Sequence, residues 1–319
     1  MAQESPAPAK SCMRGQGGLH VRIAPQRRSV AQGIFEGDAM PARSPDAAPA
    51  RQRHVVLPGT SNLRDLGGYA GAGGRKVRWG RLYRSGAMPK LGAADWVWMR
   101  AQRIALVCDL RSAAERELAP TRWQGPEHSR HILADYDPAL IYGRPFVPAR
   151  PGAAVNDLHQ GLYGLFVEIL APTFAELFAA LLDGEAPVIF HCSAGQDRTG
   201  LAAGLLLDLL GVDRDTIYAD YLLSTECRRF DNELDRLGVA AFADTNLVAR
   251  FYTDAIRRNG MDAIKPPKLV DAEGTALLKH GFDAIEAQFG SVERYAEQRL
   301  KMDAGAIGRL RALYLEPDA

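Results

Sequence analysis

This chain of 319 residues is poor in cysteine, carries almost no net charge and lacks a long uninterrupted apolar run. Its four cysteines are Cys12, Cys108, Cys192 and Cys227. They form no C-x-x-C pair and have no spacing typical of a metal-binding set, so the sequence argues against a disulfide framework and a cysteine-based metal site. The formal net charge of +1 is typical of neither a nucleic-acid-binding protein nor an acidic tail. We therefore expect reduced thiols and no nucleic-acid partner.

No apolar segment reaches the roughly 18–20 residues that a membrane-spanning helix needs. Segment 161–182 comes closest, but Glu168, Pro172 and Glu176 interrupt it. The N-terminus lacks a basic region followed by an apolar stretch, which is the pattern of a secretory signal peptide. These absences predict a cytoplasmic protein without stable membrane insertion, while export by a route without a cleavable signal and the oligomeric state stay open.

The first 53 residues differ in composition from the rest of the chain. They are rich in Pro, Ala, Gly, Gln and Arg and show neither helical nor strand periodicity, so we expect them to be mostly disordered. A translation start at Met40 is an alternative explanation for most of this segment. Order is expected to begin at residues 54–57, and residues 54–319 are predicted to form a single domain.

Beyond residue 54, strand-like and helix-like segments alternate. Strand-like runs occupy residues 81–84, 104–108, 130–133 and 187–190, and helical patterns occupy 93–102, 162–170, 173–182 and 201–210, the last closed by Gly211. Further helical patterns cover 215–223, 246–258, 272–289, 292–301 and 304–315. This order predicts an α/β fold with a central, mainly parallel sheet flanked by helices and with extra C-terminal helices.

Residues 188–200, VIFHCSAGQDRTG, contain a short apolar strand, a loop of small residues and the start of a helix. Such a turn directs several backbone N–H groups and the positive end of the helix toward one point, where a phosphate group fits. Gly195 lets the loop turn and approach the ligand closely. Arg198, six residues after Cys192, can close the ring around the anion with planar, bidentate contacts. The predicted substrate-binding residues are Ser193, Ala194, Gly195, Gln196, Asp197 and Arg198.

Cys192 is placed at the base of this ring and is the predicted nucleophile. A helix N-terminus and nearby positive charge favour the thiolate form, so Cys192 needs no separate base. His191 is expected to support the loop by hydrogen bonding, and Thr199 to donate its hydroxyl to the thiolate and help it leave from a phosphocysteine. The alternatives are a buried, inert cysteine and a rhodanese-type thiol site. The first leaves the suitable positions of His, Gly, Arg and Thr unexplained, and the second needs no arginine at position 198.

The motif H-C-S-A-G-Q-D-R-T-G resembles the signature loop, H-C-x-x-G-x-x-R, of the protein tyrosine phosphatase superfamily. Three further segments resemble a bacterial and fungal tyrosine phosphatase family: SNLRDLGGY at 61–69, WGRLYRSG at 79–86 and DLRSAAE at 109–115. The resemblance runs from about residue 54 to 315, and it is thin between 231 and 266.

This resemblance implies a cysteine-phosphatase fold and hydrolysis of phosphomonoesters through a phosphocysteine, without a metal or other cofactor. His128 and His131 also lack carboxylate partners at a convincing ligand spacing, so no metal site is expected. In similar proteins an extra helical segment covers the active site as a lid. Residues 229–265 are the candidate lid here.

A phosphate ester also needs a proton for its leaving oxygen, which an aspartate usually donates. Many tyrosine phosphatases carry this aspartate in a Trp-Pro-Asp loop, and the tripeptide does not occur in this sequence. The resemblance implies two candidates, Asp197 inside the signature loop, which we expect to face the mouth of the site, and Asp109. Asp157 and Asp137 remain further candidates from their positions in the sequence.

Several other residues have a structural and a functional interpretation. Arg64, Asp65 and Arg111 are expected to organise the loop through ion pairs, or to form a purely structural network. Cys108 is either a buried strand cysteine or the partner of an oxidised Cys192 in a disulfide.

The substrate class depends on position 196. Family members often read H-C-x-x-G-K-D-R, and the lysine is associated with phosphoinositide headgroups, whereas this chain has Gln196. The loss of one cation should weaken the binding of a multiply charged headgroup more than that of phosphotyrosine. We therefore expect a protein-tyrosine phosphatase, with dual specificity open. The alternatives are a phosphatase of phosphoinositides or other small phosphoesters, and a phosphate-binding pseudophosphatase.

Overall fold

The computed structural model of the protein describes residues 52–143, 155–235, 238–260 and 268–317, with backbone alone for residues 155–160. The N-terminal extension that was predicted to be disordered, residues 1–53, lies outside this part of the chain except for residues 52 and 53. Arg53 already contacts the fold, since its carbonyl accepts a hydrogen bond from the N–H of Asp65 at 2.9 Å. His54 follows with an antiparallel bridge to Arg64.

Five short strands form one sheet within the described residues. They are β1 (Arg64–Asp65), β2 (Leu82–Ser85), β3 (Leu106–Asp109), β4 (Arg130–Leu133) and β5 (Val188–His191). The strand order is β1-β2-β5-β3-β4, with β2, β5, β3 and β4 parallel and β1 antiparallel to β2. The predicted α/β class and the mainly parallel sheet are confirmed.

Helices cover both faces of this sheet. They are α1 (Ala93–Ala101), α2 (Ala113–Leu118), α3 (Ala139–Tyr142), α4 (Val155–Ile169), α5 (Ala171–Leu182), α6 (Asp197–Leu209), α7 (Arg214–Leu222), α8 (Ser224–Cys227), α9 (Leu247–Asn259), α10 (Lys279–Phe289), α11 (Val292–Leu300) and α12 (Ala304–Tyr314). The extra C-terminal helices lie on the side of α4 and α5, since α10 contacts α4 while α11 and α12 contact α5.

The central strand β5 is apolar from Val188 to Phe190 because both faces of the sheet are buried there. Successive side chains of a strand point to opposite faces. In β5, Val188 and Phe190 contribute to the large core under α4, α5 and α6, whereas Ile189 joins a smaller core with Trp96 and Met99 of α1. This double burial explains why the run before the signature loop lacks the alternation of a half-exposed strand.

One predicted helix is shorter than expected. The pattern of residues 272–289 predicts one helix, but α10 begins only at Lys279. Before it, Val270 and Ala276 form an antiparallel bridge, and the Asp271 carboxylate accepts hydrogen bonds from the backbone N–H groups of Glu273 and Thr275. This local turn competes with the helix for the backbone N–H groups.

Four short elements, β1, α2, α3 and α8, were not predicted, and further differences lie at the ends of elements. The helix expected at 201–210 begins earlier, at Asp197, and Gly211 follows its end with a φ of +83°, as expected for a glycine in that position.

No single helix of the described chain is long and apolar enough to cross a membrane. The segments Gly161–Ile169 and Ala171–Leu182 pass such a test together by length and composition, and they are bent by 55° relative to each other. Their apolar side chains are largely part of the core, where Phe166, Phe174 and Phe178 are buried.

Candidate active site

The signature loop joins the middle of the sheet to a buried helix. β5 lies between β2 and β3, and α6 starts at Asp197, so residues 192–196 form the connection. Cys192 directly follows the strand and is 2% exposed. In open α/β sheets, ligands bind at the carboxyl ends of the parallel strands, which is where this loop lies.

Gly195 is required by the path of the loop. Its φ is +67°, a conformation that side chains strongly disfavour. A Cβ atom at this position would lie 2.6 Å from the backbone of Gly86 and of Ser85. The loop therefore passes against the end of β2 at a distance that no other residue allows.

The carbonyl groups of the loop point away from its centre. The Ser193 carbonyl accepts a hydrogen bond from the N–H of Ala87 at 2.9 Å. The Asn62 side chain donates to the carbonyls of Ala194 and Gly195 at 3.1 and 2.8 Å. Arg84 also donates to the Gly195 carbonyl, at 2.9 Å. With its carbonyls bound outside, the loop can direct its N–H groups inward, toward the space above Cys192.

A buried charge network holds these outer partners. Asp220 on α7 contacts Nη1 of Arg84 at 2.5 Å, Nη2 of Arg64 at 3.6 Å and the hydroxyl of Tyr69 at 3.0 Å. Arg64 also donates to the side-chain oxygen of Asn62. Burial would raise the pKa of Asp220, but Arg64 and Arg84 outweigh it and lower the pKa to about 2. The network thus fixes Asn62 and Arg84 against the signature loop.

Of the three residues expected to organise the loop, Arg64 alone contacts this network directly. Asp65 accepts hydrogen bonds from the N–H groups of Gly67 and Gly80, at 2.8 and 2.7 Å. Arg111 pairs with Asp109 instead, with Nε–Oδ1 and Nη2–Oδ2 distances of 2.9 and 2.7 Å.

Arg198 is fixed by an ion pair with Glu115 on α2. Its Nη1 and Nη2 donate to the two carboxylate oxygens at 2.8 and 2.7 Å, and Nη1 also donates to the Tyr136 hydroxyl at 2.6 Å. A guanidinium has five N–H groups. Among the described residues these bonds leave Nε and one N–H of Nη2, which form one edge of the planar group and suit a bidentate contact with phosphate.

Glu115 accepts further hydrogen bonds, from Ser193 Oγ at 2.5 Å and from the Tyr142 hydroxyl at 2.8 Å. Burial would raise the pKa of Glu115, but the Arg198 charge and these hydrogen bonds hold it well below its usual range. Sequence reasoning gave Glu115 no role. The available signal is the spacing Ser112-x-x-Glu115, a capping box that does form at the start of α2.

The candidate acids lie in different environments. Asp197 is partly buried, and its Oδ1 accepts hydrogen bonds from Tyr163 at 2.8 Å and from Tyr221 at 3.3 Å. Asp109 is buried, and its carboxylate forms an ion pair with Arg111. Burial would raise the pKa of Asp109, but His191 and Arg111 beside it lower it. Asp137 is exposed and caps α3, while the side chain of Asp157 lies outside the described part of the chain.

His191 and Thr199 differ in how far they match their expected roles. Nδ1 of His191 lies 3.3 Å from the Cys192 carbonyl, a contact within the loop, and burial lowers its pKa to about 4. The hydroxyl of Thr199 is buried and has no hydrogen-bond partner among the described residues. The hydrogen bond expected from Thr199 to Cys192 is therefore not formed in this structure, and the role of Thr199 in the release of the thiolate stays a prediction.

A small pocket, with a cavity volume of about 50 Å³, opens beside the loop. It is lined by Glu115, Leu118, Ala119, Ser193, Ala194, Arg228, Phe230, Glu233, Leu234, Val248 and Tyr252. Five of these belong to the segment 229–265, the candidate lid, of which 229–235 and 238–260 are described. This segment therefore lies next to the signature loop.

Three of the four cysteines lie in the part of the chain that the structure describes. Cys108, Cys192 and Cys227 are free and buried, and burial raises the pKa of Cys108 well above its usual value. Cys108 pairs in register with Phe190, two residues before Cys192, and a disulfide between the two cysteines stays a prediction. No group of three or more potential metal ligands occurs among the residues that the structure describes.

Comparison with known proteins gives several relatives. A provisionally named tyrosine-protein phosphatase of Cupriavidus necator is 34% identical over 294 residues, which cover 89% of this chain and 96% of the relative. The triple specificity protein phosphatase PtpB of Mycobacterium tuberculosis is 31% identical over 219 residues, 56% of this chain and 76% of the relative. A tyrosine-protein phosphatase of Nostoc commune is 33% identical over 147 residues, 44% and 47% of the two chains.

The family comparison covers most of the chain. The model of the tyrosine phosphatase family matches residues 55–316, which include the signature loop, the Arg198–Glu115 pair and the C-terminal helices. The predicted resemblance and the predicted phosphatase class are confirmed. This chain belongs to the tyrosine phosphatase family.

Proposed function

We propose that this protein hydrolyses phosphomonoesters through a phosphocysteine formed on Cys192, and that phosphotyrosine in proteins is its main substrate. The observation that carries the proposal is the loop itself. Cys192 lies at the base of a strand–loop–helix turn, and Arg198 is held beside it by Glu115 with one edge of its guanidinium left for an anion.

In the first step, the Cys192 thiolate attacks phosphorus and the bond to the ester oxygen breaks. Loop N–H groups and Arg198 stabilise the charge on the phosphoryl oxygens. The leaving oxygen takes a proton from an acid. In the second step a water molecule, deprotonated by the same group, attacks phosphorus. The S–P bond breaks, the thiolate is restored and phosphate leaves.

Asp197 is the acid that the environment supports best. It lies directly before Arg198 and is held by two tyrosine hydroxyls, and it remains partly accessible. Asp109 is a positioning residue in this proposal, because Arg111 occupies both of its carboxylate oxygens.

The walls of the pocket favour an aromatic ester. Leu118, Phe230, Leu234, Val248 and Tyr252 provide an apolar lining next to Ser193 and Ala194. Such a lining suits the ring of a phosphotyrosine better than a polyol. Phosphoinositides and other small phosphoesters form the alternative class of substrates. The name of one relative, a triple specificity protein phosphatase, is compatible with this alternative.

The segment 229–260 acts as a lid in this proposal. Asn232 donates to the carbonyls of Pro58 and Thr60 at 2.7 and 2.9 Å, and Asn246, the N-cap of α9, donates to the carbonyl of Ala114 at 3.0 Å. These polar contacts, together with the packing of Phe251 and Tyr252 against Tyr142, hold the segment beside the pocket. Such anchoring is compatible with opening for substrate entry.

The test is the turnover by wild type and by Cys192→Ser of an aryl phosphate, a phosphotyrosine peptide and a phosphoinositide, with a chelator present. We expect turnover by the wild type alone, with the phosphotyrosine peptide preferred over the phosphoinositide. An inactive wild type that still binds inorganic phosphate would replace the enzyme by a phosphate-binding pseudophosphatase. The predicted cytoplasmic location is a separate proposal, tested by fractionation of the cells that produce the protein.

A further inference from the structure

Position 196 of the signature loop is a glutamine, and the side chain of Arg228 lies against it. Gln196 is 2% exposed, and its Oε1 accepts a hydrogen bond from Nη1 of Arg228. The Nε2 atom of Gln196 is buried and has no hydrogen-bond partner among the described residues. An unpaired buried donor is unfavourable. Gln196 therefore binds a cation on one side and has a free donor on the other.

Arg228 lies outside the signature loop, and residues outside the loop also hold its guanidinium. Its Nε and Nη2 donate to the two oxygens of Glu233 at 2.9 and 2.5 Å, and both side chains are buried. Ser61 donates to Glu233 at 2.6 Å, and the Phe230 ring lies 5.5 Å from the guanidinium. The guanidinium is therefore preorganised before any ligand binds.

Arg228 also lies in the wall of the substrate pocket. Arg228 and Glu233 line the pocket together with Ser193 and Ala194 of the signature loop. Arg228 also borders an adjoining open groove with Pro58. Three of its five N–H groups are used by Gln196 and Glu233, which leaves two donors for a ligand within the described structure.

We propose that Arg228 supplies a second cation beside the signature loop, and that it selects phosphomonoesters with a second anionic group next to the scissile phosphate. The inference rests on the proposed phosphatase activity. Although position 196 itself carries no charge, Arg228 brings a cation from another segment of the chain to the same place. Glu233 holds Arg228 in place and also competes for its charge, so it limits the strength of the selection.

A pair of matched substrates tests this role. Two phenyl phosphates carry either a carboxylate or a carboxamide at the same ring position, and the ratio of their kcat/KM values is measured for each variant. The variants are Arg228→Gln, Arg228→Lys and Glu233→Gln, with Arg309→Gln as the control. Arg309 is exposed on α12, outside the pocket and the lid.

In Arg228→Gln we expect the carboxylate-to-carboxamide ratio to fall by about tenfold, the range of one hydrogen bond to a charged group. Arg228→Lys should restore part of the ratio. Glu233→Gln should raise it, since the arginine loses its competing anion. Arg309→Gln should leave it unchanged. The salt dependence of the ratio should weaken in Arg228→Gln, which a merely structural role would not produce.

Three results separate the possible failures. The selection would be overturned if Arg228→Gln lowered kcat/KM equally on both substrates and Glu233→Gln did not raise the ratio. Arg228 would then have a structural role only. If Arg228→Gln does not fold, the Glu233→Gln variant decides, because it keeps the arginine and predicts a change of opposite sign. If the wild type turns over neither phosphate, the proposed function itself fails.

Discussion

Glu115 and Arg198 form a buried, bidentate ion pair across 83 residues of sequence, with N–O distances of 2.7 and 2.8 Å. The carboxylate fixes the plane of the guanidinium and at the same time accepts a hydrogen bond from Ser193 of the signature loop. One residue of α2 therefore sets the position of both the phosphate-binding arginine and the loop around it.

Glu115→Gln tests this relationship. Loss of the carboxylate leaves Arg198 buried without its counter-charge, which we expect to destabilise the fold by about 3 kcal/mol and to lower kcat on an aryl phosphate by at least about tenfold. Urea unfolding and steady-state kinetics provide the two values. Glu127→Gln is the control. Glu127 is exposed and follows β3 in the sequence, as Glu115 does, so the unfolding free energy and kcat should both be unchanged. Full activity in Glu115→Gln would show that Glu115 is not needed to position Arg198 for catalysis.

His191 should make stability depend on pH. Its pKa is lowered from 6.5 to about 4 in the fold, because burial opposes the charged form. The unfolded chain takes up this proton as the pH falls below 6.5 while the folded chain does not, so stability is lost from pH 6.5 down to about 4. The His191 contribution between pH 7 and pH 5 is about 2 kcal/mol.

Urea unfolding at pH 7 and pH 5 measures this loss. His191→Gln removes the titrating group and should flatten the change, whereas the exposed His128→Gln should retain it. An equal pH dependence in wild type and His191→Gln would show that another group is responsible.

Gly195→Ala should damage the loop directly. The positive φ and the 2.6 Å distance from a Cβ atom to the backbone of β2 force the loop to move, and a displacement of about 1 Å is sufficient for a rate loss of about a hundredfold. The measurement is kcat/KM on an aryl phosphate.

Gly161→Ala is the control for this change. Nothing lies within 4 Å of a Cβ atom at that position in α4, so the variant should keep its activity and gain about 0.5–1 kcal/mol of stability. Normal kcat/KM in Gly195→Ala would show that the loop tolerates a side chain there.

Asp197→Asn tests the general acid. We expect kcat to fall by about a hundredfold or more on phenyl phosphate, whose leaving group needs a proton, and much less on dinitrophenyl phosphate, whose leaving group does not. The loss of activity on the basic side of the pH profile should disappear with it. Asp109→Asn should not show this dependence on the leaving group. If it does and Asp197→Asn does not, the two roles are reversed.

Asp220→Asn should leave two buried arginines, Arg64 and Arg84, without their counter-charge. The expected loss in unfolding free energy is about 3–5 kcal/mol. Asp215→Asn on the same helix is exposed and should have little effect. The measurement is denaturant unfolding of both variants, and equal stabilities would show that the network is not required for the fold.

Local sequence determined much of the fold. The apolar run ending at His191, the small residues after Cys192 and the helix closed by Gly211 lie within one continuous segment, so their geometry depends on neighbours in the chain. The same holds for the strands at β3 and β4, which were predicted to within about two residues. The helix predicted from residue 272 was too long, because the Asp271 carboxylate binds the backbone N–H groups of Glu273 and Thr275, and the apolar periodicity of the segment does not show this competition.

The sequence by itself therefore determined the family, the α/β class and the segment that contains Cys192 and Arg198. Only the tertiary structure decided which distant side chains complete the site. Glu115 forms an ion pair with Arg198, Asn62 and Arg84 donate hydrogen bonds to the loop carbonyls, and Arg228 donates a hydrogen bond to Gln196. The physical reason is the range of the interactions. Hydrogen bonds and ion pairs act over a few ångströms, and the fold alone brings residues separated by 32 to 133 positions within that distance.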